Sequence, residues 1–231
     1  MKGIVNTEVP RERLLCAEHG REEIARRRSR LLEPRVAPLT TWVESVRDRL
    51  DPCHAETVCD FDPEGGGVAA RVLYLAQDPS STAADTGFIS PDNNDRTAKA
   101  TTEACLEAGL AARERVHWNV YPWWLDAPCG GRVTRPAELA RTFLVELLDR
   151  LPEVSSVVLI GGKAVEAWGK VFPTGPPRAD FYVGHGPHPS FGWWSKPYGP
   201  EDRLGRDVVV GELRAARLHA FNSSSGEGTR A

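Results

Sequence analysis

Short apolar runs alternate with amphipathic segments along most of the chain, and this alternation predicts an α/β fold. The apolar runs have the length of buried strands, and we place strands at 69–76, 116–120, 156–160 and 180–184. Segments with apolar residues at helical spacing follow them, and we place helices at 95–109, 136–151, 162–171 and 201–219. Because strands and helices alternate, we expect a four-stranded parallel sheet inside a three-layer α/β/α sandwich.

The same pattern divides the chain into three parts. Residues 1–67 are predicted to form a helical extension packed on the core, residues 68–221 the α/β domain, and residues 222–231 a disordered polar tail. In the extension, the arginine-rich run from Arg26 to Arg30 is most simply a solvated helix face. The alternative is a flank that contacts phosphates.

The composition fits a soluble globular protein. Hydrophobic residues make up 41% and charged residues 26% of the 231 positions, and the net charge is −3, which argues against wholesale disorder. No apolar run approaches the roughly 20 residues of a membrane span, and the chain start, MKGIVNTEVPRERLL, lacks the apolar core of a signal peptide. We therefore expect a cytoplasmic monomer that has no membrane contact and uses no cofactor.

The cysteines are odd in number and scattered, and no two of them form a CxxC pair. They are Cys16, Cys53, Cys59, Cys105 and Cys129. Such a set is typical of reduced thiols rather than of a disulfide framework, a structural zinc site or an iron–sulfur cluster. We therefore expect no metal.

Polar side chains follow three of the predicted strands. Asp78 comes after the first strand, Asn119 lies at the end of the second, and His188 follows the fourth. In an open parallel sheet, ligands bind outside the carboxyl ends of the strands. Each residue alone is most simply a turn or capping residue, but an acid, an amide and an imidazole on one edge together indicate a site.

The motifs around these residues resemble those of the uracil-DNA glycosylase superfamily. AQDP at 76–79 resembles the family's GQDP motif, and HPS at 188–190 resembles its HPSP motif. Between them, Phe88 in TGFISP resembles the pocket phenylalanine, and Asn119 resembles the asparagine that reads the base. The resemblance covers roughly residues 68–200 and implies a glycosylase-like α/β/α domain.

The resemblance also implies roles in hydrolysing an N-glycosidic bond. Asp78 would stabilise the oxocarbenium-like sugar and orient the attacking water, and His188 would donate a hydrogen bond to the departing base. The base would first be flipped out of the DNA. Phe88 would then stack on the base, Asn119 would contact its Watson–Crick edge, and the backbone at Gln77 would line the pocket.

Further residues would hold the DNA. Ser81 and Ser190 would contact phosphates, because small hydroxyl residues in tight loops often do so. Phe191 and Trp193 follow the HPS turn and would fill the gap left by the flipped base. The alternative is that these aromatic side chains only pack within the loop.

One position departs from the family in a way that bears on the substrate. The common uracil enzymes carry tyrosine after their DP, where its ring excludes a C5 methyl group, whereas this chain carries Ser80. An open pocket would admit a C5-modified pyrimidine, such as the hydroxymethyl- or glucosyl-cytosine of phage DNA. Alternatively, Tyr121, Trp123 or Trp124 refills the space. The expected function is excision of such a base in phage defence, with uracil repair as the alternative.

Other classes of protein fit less well. Gly161-Gly162 before Lys163 could bind a nucleotide or phosphate at a helix N-terminus, but the spacing of a P-loop is missing. A zinc deaminase needs PCxxC after its HxE, and a serine hydrolase commonly has GxSxG; neither PCxxC nor GxSxG is present. A DNA-binding relative without catalysis would not need Asp78, Asn119 and His188 together.

Overall fold

The computed structural model describes residues 20–222 and confirms the α/β class. Its α-helices are α1 Gly20–Arg28, α2 Ala37–Arg47, α3 Pro52–Ala55, α4 Ser81–Thr86, α5 Arg96–Glu107, α6 Pro136–Asp149, α7 Gly162–Val171, α8 Phe191–Trp194 and α9 Gly205–Asn222. Its strands are β1 Asp60–Phe61, β2 Val72–Ala76, β3 Phe88–Ile89, β4 Arg115–Asn119, β5 Ser156–Ile160, β6 Tyr182–Gly186, β7 Pro197–Tyr198 and β8 Arg203–Leu204.

The four long strands form the predicted parallel sheet, in the order β4-β2-β5-β6. The chain passes from β2 to β4 on one side and then crosses back to β5 on the other. Such a reversal of strand order opens a crevice at the carboxyl end of the first strand, where ligands of open α/β sheets bind. The topology therefore directs attention to the residues that follow β2.

Helices cover both faces of this sheet, which fits the predicted three-layer arrangement. On one face, β2, β4 and β5 form a buried core with α2, α6 and α7 that includes Trp42, Trp118 and Phe143. On the other face, residues of β2 and β5 form a second buried core with α5 and α9. Alternate residues of each strand enter opposite cores because successive strand side chains point to opposite faces.

Several boundaries differ from the predicted ones. The first strand begins at Val72 because Gly67–Ala69 forms a 3-10 turn, and the fourth lies at Tyr182–Gly186, two residues later than predicted. The final helix begins at Gly205, after a short antiparallel pair of β7 and β8. The segments before and after β2 also contain α3, α4, β1 and β3, which are too short to produce a periodic pattern.

The N-terminal segment is continuous with the core, and part of its interpretation is wrong. Residues 1–19 lie outside the described residues. Of the predicted tail, Asn222 is the last residue of α9, and residues 223–231 lie outside the described residues. α2 contributes buried residues to the larger core. The arginine run is not uniformly solvated, because only 1% of Arg27 is exposed.

The expectation of reduced cysteines is also wrong for one pair. Cys53 in α3 and Cys129 in the loop between β4 and α6 form a disulfide with a Cα–Cα distance of 5.7 Å. They are 76 residues apart in sequence, so spacing alone did not reveal the pair. Cys59 and Cys105 are free and buried, and Cys16 lies outside the described residues.

Candidate active site

Two adjoining cavities open at the carboxyl end of β2. The first, which we call the inner cavity, has a volume of about 360 Å³ and lies on the face of the sheet covered by α5. The second, which we call the outer groove, has a volume of about 860 Å³ and lies beside the start of α7. They meet at residues that line both, which are Ala76, Asp78, Pro79, Ser80, Ile160 and His188. The predicted acid and the predicted histidine therefore stand at one shared junction.

Asp78 is held in place by a backbone contact from a neighbouring loop. Its Oδ2 accepts a hydrogen bond from the backbone N–H of Leu125 at 3.0 Å. The same loop is anchored to the N-terminal segment, because the Trp124 N–H donates to Thr57 Oγ1 at 3.0 Å and Cys129 is bonded to Cys53. Burial raises the pKa of Asp78 above its ordinary value, and the hydrogen bond from Leu125 opposes that rise.

His188 lies at the mouth of the inner cavity, against a glycine that leaves room for it. A Cβ at Gly161 would be 3.2 Å from the Cβ of His188, and Gly161 has φ of +90°, which side chains disfavour. The Gly161 N–H also donates to the carbonyl of Gly186 at 2.8 Å. His188 as a whole is exposed, yet partial burial of its imidazole lowers the pKa below the usual 6.5. At neutral pH, the ring is therefore mainly uncharged.

Asn119 brings an unsatisfied amide to the inner cavity. It ends β4 directly beside Ala76 of β2, it lines the cavity, and only 3% of it is exposed. Its Nδ2 is buried without a hydrogen-bond partner, and no other side-chain nitrogen or oxygen of residues 20–222 is recorded in that state. A buried donor without a partner costs about 1–3 kcal/mol, so this amide is available to a hydrogen-bond acceptor that enters the cavity.

Ser80 caps a helix, and none of the three aromatic residues proposed to fill the space beside it lines the inner cavity. Its hydroxyl accepts the Ala83 N–H at 3.2 Å at the start of α4. Tyr121 and Trp123 are buried in the larger core, on the opposite face of the sheet from the inner cavity. Trp124 lines the outer groove and not the inner cavity.

The structure does not bring every predicted site residue to the inner cavity. Phe88 is completely buried and lines neither cavity, whereas its neighbour Ile89 lines the inner one. Its assignment as the stacking residue is therefore not supported by this geometry. Gln77 and Ser190 line the outer groove, and Ser81, exposed at the start of α4, lines neither.

The two predicted aromatic wedge residues are placed only in part. Phe191 and Trp193 belong to α8, directly after the HPS turn. Their side chains lie outside the described part of the structure. Their insertion into DNA stays a prediction.

The sequence interpretation missed three polar residues of the inner cavity. Tyr74, Thr101 and His117 all line it, two from strands and one from α5. Tyr74 and His117 precede Ala76 and Asn119 by two residues, so they share the same sheet face. A polar residue two positions before a predicted site residue on a strand was the available signal.

Two further properties bear on the type of protein. Within residues 20–222, no group of three histidine, cysteine or acidic side chains is arranged to hold a metal ion. The helices of that part are too short or too polar to cross a bilayer.

Comparison with known proteins does not assign the chain to a family. No protein-family model matches the sequence, and no curated protein matches it significantly.

Proposed function

We propose that this protein is a DNA glycosylase that flips a pyrimidine out of DNA and hydrolyses its N-glycosidic bond. The observation that carries the proposal is the unpartnered, buried amide nitrogen of Asn119 in a cavity whose mouth holds Asp78 and His188. An enclosed amide donor matches the acceptor atoms on a pyrimidine's Watson–Crick edge. The resemblance of the AQDP and HPS segments to uracil-DNA glycosylases points to the same reaction.

The two residues at the junction would act on opposite sides of the breaking bond. Water adds to C1′ of the deoxyribose, the electron pair of the C1′–N1 bond leaves with the base, and the proton released by the water neutralises the base anion. The Asp78 carboxylate stabilises the positive charge on the sugar and orients the water, while a His188 N–H stabilises the negative charge on the base. The lowered pKa of His188 leaves its ring neutral at neutral pH, while the hydrogen bond from Leu125 favours the ionised form of Asp78 against the effect of burial, which raises its pKa.

The proposed substrate is a C5-modified cytosine of the hydroxymethyl or glucosyl type found in phage DNA, which would make the protein an antiviral enzyme. Ser80 supports this choice because neither Tyr121 nor Trp123 fills the inner cavity beside it. The alternative is a uracil-excising repair enzyme. The Asn119 amide does not separate these options, since a half-turn exchanges its donor and acceptor.

The outer groove would hold the DNA strand. Its described charged residues, apart from Asp78, are Lys163, Asp126 and Glu166, so it is not strongly basic. Phosphate contacts there would come from Ser190 and from the free N–H groups at the start of α7. The second alternative, a nucleotide- or phosphate-binding protein without glycosylase activity, would use that same helix end.

A panel of duplexes tests the proposal. Each carries one uracil, thymine, hypoxanthine, 5-hydroxymethylcytosine or glucosylated 5-hydroxymethylcytosine, and alkali cuts any abasic site formed. We expect cutting at a modified cytosine, and DNA affinity that falls as salt rises. Uracil-only cutting selects the repair alternative. No cutting, with binding of free nucleotide but not of DNA, selects the nucleotide-binding alternative.

The pH dependence of excision should have an acid limb and a plateau. The rate requires ionised Asp78, which is lost as the pH falls through its pKa, and the neutral His188 ring already carries the N–H that the reaction uses. Because the pKa of Asp78 is raised and that of His188 is lowered, we expect the single-turnover rate to be level at pH 7–8 and to decrease below that range.

Two neighbouring charges provide a check on the Asp78 contribution. The charge of Asp126 raises the pKa of Asp78 and that of Lys163 lowers it. Asp126→Asn should therefore move the acid limb to lower pH, and Lys163→Gln should move it to higher pH. A rate that increases on acidification would contradict the assigned protonation states.

Ser80→Tyr should close the proposed opening beside C5. A ring in that space would clash with a C5 substituent, and overpacking of about 1–3 kcal/mol corresponds to a rate loss of about 5- to 150-fold. Single-turnover excision of the modified cytosine should decrease by this factor, while any excision of uracil should be unchanged or faster.

The matched control is Ser80→Ala, because Ser80 also caps α4. Loss of the cap costs about 0.5–2 kcal/mol of stability without adding a ring. Ser80→Ala should therefore leave the ratio of the two excision rates unchanged. Equal losses on both bases in Ser80→Tyr would indicate that the space is already closed.

A further inference from the structure

The inner cavity continues beyond the amide that would read the base. Tyr74 of β2 lies beside His117 of β4, and the next outward pair on that face is Ala76 beside Asn119. Two residues along a strand span roughly 7 Å. All four residues line the cavity, so its floor lies about one ring width below the Asn119 amide.

Three polar side chains form this floor, which we call the polar floor: Tyr74, Thr101 and His117. The Tyr74 hydroxyl and Thr101 Oγ1 are 3.0 Å apart and share a hydrogen bond, and the rings of Tyr74 and His117 are 4.6 Å apart. Tyr74 also packs within the apolar core between the sheet and helices α5 and α9.

The polar floor is uncharged and offers hydrogen bonds. The Arg115 Nε–H donates to His117 Nε2 at 3.1 Å, so the proton of the neutral ring lies on Nδ1. Burial, followed by the charge of Arg115, keeps the pKa of His117 well below its usual value. Burial also raises the pKa of Tyr74. The floor can therefore donate from N–H and O–H groups and accept at hydroxyl oxygens.

The cavity is also larger than a single ring requires. A cavity of about 150 Å³ holds one benzene molecule, whereas the inner cavity has about 360 Å³ including its mouth. C5 of a pyrimidine is bonded to C4, which belongs to the edge that would meet Asn119. With that edge at Asn119, a substituent on C5 would lie beside the amide, and it would reach the polar floor if C5 faces Tyr74 and His117.

We infer that the polar floor of Tyr74, Thr101 and His117 binds an uncharged, hydroxyl-bearing substituent on the flipped pyrimidine and rejects a methyl group of similar position. This inference rests on the proposed function and specifies its substrate. A hydroxymethyl or sugar group would exchange hydrogen bonds with the floor. A methyl group could exchange no hydrogen bond with the floor, and sites built to bind a hydroxyl reject analogues that lack it.

Two substitutions that remove one hydroxyl each test the inference. Tyr74→Phe keeps the ring, and Thr101→Val keeps the branched shape. Single-turnover excision is measured on duplexes carrying cytosine, 5-methylcytosine, 5-hydroxymethylcytosine or its glucosylated form. We expect the unaltered protein to prefer a hydroxyl-bearing base over 5-methylcytosine by at least about 10-fold. Each variant should lower excision of that base by about 5- to 30-fold and change the 5-methylcytosine rate by less than about twofold.

Tyr182→Phe is the matched control. Tyr182 belongs to β6 of the same sheet, its hydroxyl donates to Glu212 at 2.7 Å, and it lines neither cavity. Its rates should equal those of the unaltered protein. Thermal unfolding identifies a variant that has lost its fold, and Thr101→Val carries the test if Tyr74→Phe does not fold.

The outcomes separate this inference from the proposed function. If both variants lower excision equally on all bases, or lower it on none, the role of the polar floor is overturned while the glycosylase function stands. The same conclusion holds if the unaltered protein excises only uracil or unmodified cytosine. If the unaltered protein excises no base, the proposed function fails and this inference fails with it.

Discussion

Asp78→Asn and His188→Ala should each lower the single-turnover rate of base excision by at least about 100-fold. Asparagine keeps the size of Asp78 but removes the negative charge that would stabilise the sugar cation. Alanine removes the N–H that would stabilise the departing base, and loss of one such donor typically costs 10²–10³-fold. The measurement uses saturating enzyme and the best duplex substrate at pH 7.5, so that chemistry rather than product release is followed.

Neighbouring residues of the same types provide the controls. Asp85 is exposed in α4 and His185 is exposed on β6, and neither lines either cavity. Asp85→Asn and His185→Ala should keep rates within about threefold of the unaltered protein. Near-normal excision by both Asp78→Asn and His188→Ala would show that the chemistry lies elsewhere.

The sheet was predictable because its strands are buried on both faces. The run VLYLA of β2 and the run SVVLI of β5 are almost wholly apolar, which is the pattern of a strand covered by helices. Once four such strands alternate with helices, the parallel order and the functional edge follow from general rules. Asp78, Asn119 and His188 could therefore be placed near one another without any contact being known.

The assignment of Phe88 shows what a motif alone could not determine. Residues 88 and 89 form the two-residue strand β3, which pairs with β1. Successive strand residues point to opposite sides, so a shift of one position exchanges Phe88 for Ile89 at the cavity. The motif pointed to a segment that lines the cavity, but which of its side chains faces the cavity depends on a pairing with Asp60–Phe61 that no local pattern predicts.

The disulfide and the polar floor depended on contacts between distant segments. Cys53 and Cys129 meet because α3 contacts the loop after β4. Thr101 meets Tyr74 because α5 crosses the sheet face at that strand. A tyrosine in an apolar run, such as Tyr74, is interpreted from sequence as a core residue. Only the structure shows that Tyr74 also lines a cavity.

Arg27→Leu should lower the free energy of unfolding by about 3–5 kcal/mol, which is typical when one partner of a buried ion pair is removed. The Arg27 side chain is 1% exposed, and its guanidinium bonds to Asp62, to Asp92 at 2.7 Å and to Glu23 at 2.7 Å. Asp62 also accepts a hydrogen bond from Ser90 at 2.5 Å. The substitution would leave two buried carboxylates without their cation. Urea unfolding followed by circular dichroism measures the loss.

Arg26→Leu in the same helix is the matched control, since 49% of the Arg26 side chain is exposed beside Glu23 and Glu64. Solvent-exposed ion pairs contribute only about 0–1 kcal/mol, so this variant should unfold near the midpoint of the unaltered protein. The two substitutions remove the same charge from adjacent residues, so the difference between their free energies of unfolding measures the effect of burying the arginine. Equal midpoints would mean that Arg27 does not hold the N-terminal segment to the core. A large difference would mean that α1 belongs to the same folding unit as Ser90, which lines the inner cavity.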